Sequence, residues 1–245
     1  MKTKKCKVIA ASITGPAHSQ KKQSCQDYCR YAVDGRNIVA AVADGAGSAK
    51  FGKIGARLIC DTVVDLLKNA DFAKVRPTVK RAVEVARKKA MLHRFNRSKS
   101  EKHLDDFSAT LVGFVYNRGR GMFFHIGDGA ALALNCSGQY TASLPENGNF
   151  RCETYFYTMP DWKENLRFTS FSEAQAVFLM SDGVSNFAFH RDYREPEKNF
   201  IEPIHDFLCN EPHKGRAVRA LSNTLRTARA QRLNSDDKTL LWAQL

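Results

Sequence analysis

Long apolar runs are missing from this sequence. Its richest stretches, Ile38 to Ala43, Leu111 to Tyr116 and Ala176 to Met180, fall far short of the roughly 20 residues that cross a bilayer. The basic N-terminus leads into Val8 to Ile13, too short for a signal-peptide core and without a clear cleavage site. That segment is read as a first strand, and the protein as cytoplasmic with no membrane partner. Seven cysteines show neither a CxxC pair nor a regular framework, which argues against a zinc ribbon or a disulfide scaffold and for reduced, mostly buried thiols. Acidic residues are scarce: 25 Asp and Glu stand against 38 Lys and Arg, a net charge of +13 that favours an acidic partner without choosing one. Repeats, low-complexity segments and linkers are absent as well, so residues 1–245 are expected to form one domain.

What is present alternates between strand and helix signals. Asn37 to Ala43 reads as a buried strand closed by the turn Asp44-Gly45-Ala46-Gly47. Gly55 to Asn69 reads as an apolar-rich helix, and Pro77 can open a second with Val79, Val83, Ala86 and Ala90 on one side. Ala109 to Tyr116, Met122 to Ile126 and Ala130 to Asn135 follow as three strands. The links between them are too short for crossover helices, which predicts an antiparallel meander. A strand over Ala176 to Met180, a helix over Gly215 to Leu233 and a last strand over Lys238 to Ala243 complete an α+β pattern. No GxGxxG follows the first strand, which disfavours a dinucleotide-binding sheet.

Five segments put an aspartate at a strand end or in a tight turn: Gln26-Asp27, Asp44-Gly45, Gly127-Asp128-Gly129, Asp182-Gly183 and Ser235-Asp236-Asp237. One Asp-Gly pair is an ordinary turn. Five, several directly after apolar strands, suggest carboxylates converging at sheet ends, where they repel unless cations neutralise them. Oxygen-only ligands suit Mg²⁺ or Mn²⁺ rather than zinc, and two such ions can activate water against a phosphoester.

These residues resemble the type 2C metal-dependent protein serine/threonine phosphatases (the PPM family). That family's ordered motifs appear here as Cys25-Gln-Asp27, Val42-Ala-Asp-Gly-Ala-Gly47, Ser108-Ala-Thr110, Ile126-Gly-Asp-Gly129, Leu179-Met-Ser-Asp-Gly183 and Asp236-Asp-Lys-Thr239. The surroundings of His18, Gln26 and Glu153-Thr154 are closest to a divergent bacterial branch. The resemblance implies an α-β-β-α sandwich of two antiparallel sheets flanked by helices. It implies two Mn²⁺ or Mg²⁺ ions, with Asp44 bridging them, the Gly45 carbonyl on one, and Asp182 and Asp236 on the other. Asp27 would orient a metal-bound water and Asp128 would serve a weaker third ion. The expected activity is hydrolysis of phosphoserine and phosphothreonine in proteins, the partners being phosphorylated substrates and a cognate Ser/Thr kinase.

Several positions depart from the family pattern. Gln26 stands where Glu is usual and would weaken one metal; Gly129 replaces Ser, Ser108 replaces Gly, Asn186 replaces a third-metal Asp and Asp237 replaces Asn. The family's phosphate-binding Arg falls by spacing at Lys22, with His18 in the same loop as the other candidate. Those departures motivate an alternative: a catalytically weak, phosphatase-like regulatory or phosphoprotein-binding module. Residues 74–102 carry eleven Lys and Arg against Glu84 and Glu101, and Arg216, Arg219, Arg226, Arg229 and Arg232 form a second group. Each is either a solvated helix face or a docking surface for an acidic partner. Aromatic residues do not interleave with these charges, so nucleic acid is not an expected partner. Asn147 to Phe171, rich in aromatics, reads either as a packed excursion or as a flap beside the site.

Overall fold

The computed structural model describes residues 6–35, 37–146, 154–190 and 195–245. Along the chain run β1 (Lys7–Ile13), α1 (Pro16–Gln20), β2 (Tyr28–Asp34), β3 (Asn37–Ala43), α2 (Gly52–Leu67), α3 (Val75–Leu92), β4 (Leu111–Asn117), β5 (Arg120–Ile126), β6 (Ala130–Asn135) and β7 (Tyr140–Ser143). Then come β8 (Arg167–Ser172), β9 (Ala174–Met180), α4 (Asp182–Ala188), α5 (Lys198–Asn210), α6 (Lys214–Arg226), α7 (Ala228–Leu233) and β10 (Lys238–Gln244). One sheet has the order β1-β10-β9-β6-β7 and the other β2-β3-β4-β5-β8, with every pairing antiparallel.

Side-chain alternation turns these sheets into four layers. Ile38, Ala40 and Val42 of β3 face Val177, Leu179, Leu241 and Ala243 of the opposite sheet. Val39, Ala41 and Ala43, one residue out of phase, pack under Ile59, Val63 and Leu67 of α2 and Val79, Val83 and Ala86 of α3. A strand buried on both faces must be apolar throughout, which is why β3 has no polar alternation. On the far side Leu240 and Trp242 of β10 and Phe178 of β9 lie under Val184 of α4, Ile204 and Leu208 of α5, and Leu221 and Leu225 of α6. The result is the α-β-β-α sandwich expected from the motifs. No helix of the described residues is long and apolar enough to cross a membrane.

The structure corrects the meander. β4 and β5 pair, but β6 leaves that sheet and joins the other, between β7 and β9. Gly127-Asp128-Gly129 is therefore a step between sheets, not a hairpin turn; Gly127 has φ +104°, which lets the chain change direction at once. The helix expected over 215–233 is interrupted at Thr227, whose hydroxyl accepts from the Ala230 amide and caps α7. α4 and α5 had no counterpart in the sequence reading, and Pro203 inside α5 explains one omission by breaking the helical signal.

Residues 147–153 of the expected flap lie outside the described residues. The described remainder packs: Tyr157, Trp162 and Leu166 join the core beneath α2 and α3. Arg87 of α3, nearly buried, donates through Nη1 to the carbonyls of Tyr157 (3.1 Å), Met159 (2.8 Å) and Thr158. Ser108 and Thr158 hydroxyls, 2.8 Å apart, add a second tie. Removing one partner of such a group strands buried carbonyls, which costs about 2 kcal/mol. Arg87→Ala is therefore expected to lower the melting temperature by roughly 4–8 °C. A thermal melt unchanged from wild type would show that Arg87 is not the anchor of this segment.

Candidate metal centre and active site

Strand register brings the aspartates to one end. Tyr28 lies opposite Ala43, so Asp27, just before β2, comes next to Asp44, just after β3. Met180 lies opposite both Leu240 and Ala130, so Asp182 after β9 meets Asp236 before β10 and Asp128 before β6. The five expected carboxylates thus share one edge of the sandwich. A β-carbon on Gly183 would sit 1.8 Å from the Asp237 carbonyl oxygen, so only glycine lets the 182–183 and 236–237 turns meet this closely. Gly129, where the family pattern has Ser, is explained likewise: a β-carbon there would lie 2.7 Å from the Met180 carbonyl oxygen.

Polar neighbours hold each group. Ser181 Oγ donates to Asp27 Oδ2 at 2.8 Å and accepts from the Thr239 amide at 2.9 Å. The Asp44 amide donates to Thr110 Oγ1 at 3.0 Å, and the Thr110 amide returns a bond to the Asp44 carbonyl at 2.9 Å. Thr154 Oγ1 donates to Asp128 Oδ2 at 2.6 Å. The Asp236 side chain accepts from the Asp237 amide at 2.8 Å. Below it Lys238, fully buried, donates through Nζ to the carbonyls of Asn234 (2.7 Å) and Asp236 (2.8 Å) and so fixes the 234–236 turn.

Burial and mutual repulsion dominate the electrostatics. Burial pushes the Asp27 carboxyl up to about 6, against the pull of hydrogen bonds from its neighbours. Burial first, then Asp128, Asp236 and Asp27, pushes Asp182 up to about 8. Asp44 is raised well above the usual carboxylate range by burial and then by Asp27, Asp182 and Asp236; burial also raises Asp128. Asp27 Oδ1 and Asp182 Oδ1 are buried with no hydrogen-bond partner. Orphaned carboxylate oxygens amid like charges fit a hard divalent cation. Among the described residues no three His, Cys, Asp or Glu side chains close on one point as a cage.

The other candidates sit differently. Gln26 Oε1 accepts from the Lys53 amide at 3.1 Å, in the first turn of α2, so its amide serves that helix end. His18 is nearly buried with Nδ1 2.9 Å from Asp237 Oδ2; a carboxylate can only accept, so Nδ1 donates. Asp237 also accepts from the amides of Gly15 (2.7 Å) and Gln26. The Asp at the family's Asn position thus ties both ends of the 15–26 loop to the 236–237 turn. His18 belongs to that tie and has only Nε2 left for a substrate. Lys22 is exposed on the same loop with φ +55°. Asn186 is exposed on α4. Sequence reasoning missed Ser181, Thr154 and Lys238 as supports; all three lie inside stretches quoted for the resemblance, but which group each side chain holds had no local signal.

A protein phosphatase 2C family model matches residues 14–226. The chain belongs to the protein phosphatase 2C family. Solved structures with the same fold agree. The catalytic domain of the serine/threonine phosphatase PstP, in complex with two manganese ions, is 16% identical with a TM-score of 0.65, covering 98% of each chain. Stp1 from Staphylococcus aureus, a serine/threonine phosphatase, is 12% identical with a TM-score of 0.66, over 98% of this chain and 94% of that one. RsbX in complex with magnesium is 15% identical with a TM-score of 0.61, over 100% and 98%. A comparison with curated proteins gives no match. At these identities the structural likeness speaks for the fold, and the family membership rests on the sequence match.

A carboxyl raised in the folded state favours its neutral form there, so its contribution to stability is present at low pH and lost as pH rises through the folded value. For Asp27 and Asp182 that loss spans about pH 4 to about pH 8. In chelator, the melting temperature of this phosphatase 2C domain is expected to fall between about pH 5 and about pH 8, and Asp182→Asn to flatten the slope. Mn²⁺ or Mg²⁺ should restore more stability at the higher pH than at the lower. A melt insensitive to both pH and cation would count against a carboxylate metal centre.

Proposed function

We propose that the chain hydrolyses phosphoserine and phosphothreonine in proteins with the help of two Mn²⁺ or Mg²⁺ ions. The observation that carries this reading is the convergence of Asp27, Asp44, Asp128, Asp182 and Asp236 on one sheet edge, with orphaned oxygens on Asp27 and Asp182, in a chain of this family. Asp44, the Gly45 carbonyl, Asp182 and Asp236 would hold the ions, and Asp128 with Thr154 a weaker third. When bound, such ions supply an acidified water and neutralise phosphoester charge. Asp27, fixed by Ser181 on one oxygen, keeps the other to orient the attacking water. Lys22 is the candidate for the phosphate's outer oxygens; an ammonium neutralises them but does not grip them bidentately as Arg would. The net charge of +13 would gather acidic, phosphorylated segments, and the cytoplasm, where a cognate kinase would supply them, suits the six free thiols found among the described residues.

The placement of Gln26 at the α2 terminus favours a second reading, a phosphoprotein-binding module with weak turnover. Kinetics separate the two. Asp44→Asn and Asp182→Asn are each expected to cut Mn²⁺-dependent hydrolysis of a phosphothreonine peptide by at least about a hundredfold. The fold should survive, because each change removes a repelling charge. Lys22→Ala should raise KM several-fold with the Mn²⁺ requirement unchanged. Near-normal turnover in either Asp variant would overturn the metal assignment, and a wild type without Mn²⁺-dependent turnover would leave the binding reading in possession.

A further inference from the structure

Beside the carboxylate edge lies a surface that the reaction itself does not use. The backbone of Gly52 packs against the metal loop: a β-carbon there would lie 2.9 Å from the Gly45 carbonyl carbon and 3.0 Å from Gln26 Oε1. Phe51 precedes it, and its amide donates to the Asp106 carbonyl at 2.7 Å. Its ring stacks on Phe95 at 4.8 Å and 16°, and Phe107 and His93 pack edgewise or tilted around the pair. Phe95 is 40% exposed and Leu92, three residues before it, 69%. The aromatic pair is therefore open to water on one side and rooted in the core on the other.

Cations border this shelf. Lys50 Nζ lies 5.4 Å from the Phe51 ring centre and Arg94 Cζ 4.8 Å from that of Phe95. Lys53 Nζ donates to Ser24 Oγ at 3.2 Å and links the shelf to the loop that carries Lys21 and Lys22. Lys50, Lys53 and Arg94 are all exposed, and among the described residues none is in an ion pair with a carboxylate. A solvated helix face does not present stacked aromatic rings, and a core cluster does not leave them exposed. Elsewhere the basic groups are partly spoken for: Arg87 holds three carbonyls, and Arg216 meets Glu211.

We infer that this shelf, formed by Phe51 and Phe95 and edged by Lys50 and Arg94, docks the segment of a phosphoprotein next to its phosphorylated residue, and selects segments that carry an apolar side chain among acidic ones. The inference rests on the phosphatase reading above and adds its substrate class. The argument is charge complementarity and continuity. The phosphate end of the substrate would lie over the carboxylate edge, its chain would pass Lys53, and the apolar side chain would cover the open side of the Phe51–Phe95 pair. Burying one large apolar side chain against the rings is enough to discriminate between peptides.

Two phosphothreonine peptides of equal length test this, one with Leu and Glu around the phosphoresidue and one with Ala and Gln. Their turnover and their binding, by fluorescence anisotropy, would be compared with turnover of p-nitrophenyl phosphate. Wild type should prefer the Leu/Glu peptide by about tenfold in kcat/KM, mainly through KM. Phe95→Ala and the charge-reversing Arg94→Glu should each erase that preference, leaving p-nitrophenyl phosphate turnover unchanged. Arg94→Glu keeps both rings of the stack, so a folding defect in Phe95→Ala does not leave the question open. No preference in wild type, or variants that lose peptide and p-nitrophenyl phosphate turnover in equal measure, would overturn the shelf. Should wild type hydrolyse nothing, the phosphatase reading fails and binding alone decides: an unchanged Kd in the variants overturns the shelf. Displacement of the peptide by an equal concentration of single-stranded oligonucleotide would overturn the choice of a peptide occupant.

Discussion

Carboxylates set close together in a poorly hydrated place repel, and the rest of this fold is arranged around that repulsion. Desolvation raises the cost of every ionised form, and each neighbour raises it further. Asp44 and Asp182 feel both effects most plainly. Left to themselves such groups would swing into solvent. Here they are fixed at the ends of strands whose other residues are locked into three apolar layers. The energy that holds the charges together thus comes from side chains such as Val42, Leu179 and Leu240, not from the site. Lys238 contributes locally: its ammonium sits under the 234–236 turn and takes two carbonyls, bringing one fixed positive charge to the acidic edge.

This arrangement explains what was legible in the sequence. An apolar strand followed by Asp-Gly is a local signal, since burial dictates the strand and the turn dictates the glycine. Asp44, Asp128 and Asp182 could therefore be recognised, together with the helices α2 and α3 and the layered class. The step of β5 to β6 between sheets could not be seen. A three-residue link is compatible with a hairpin or a sheet change, and what decides is pairing with β9, some fifty residues downstream. α4 escaped because it is short and begins inside the motif, and α5 because of its proline.

Side-chain roles were less legible than positions. Gln26 was singled out by its motif and His18 by its place in the same loop, and neither signal reached the side chain's partner. Their functional atoms are directed by groups distant in sequence: the Lys53 amide for one and Asp237 for the other. Asp237 itself looked like a mild departure at an Asn position. In three dimensions its carboxylate is the acceptor that closes the 15–26 loop, a task that needs three donors from a segment more than two hundred residues away. Such roles belong to the folded set and are not properties of a motif.

One consequence follows from where β10 lies. It is the second strand of its sheet, inserted between β1 and β9, with Lys7 opposite Gln244. Contacts that distant close a loop nearly as long as the chain, so they form late and slowly. During synthesis β1 must wait with both edges bare, because its strand partner leaves the ribosome after every other element of the sandwich. Asp236 travels with that partner. A chain that still lacks β10 therefore lacks Asp236 at its acidic edge: the same strand that completes the sheet also delivers the last carboxylate.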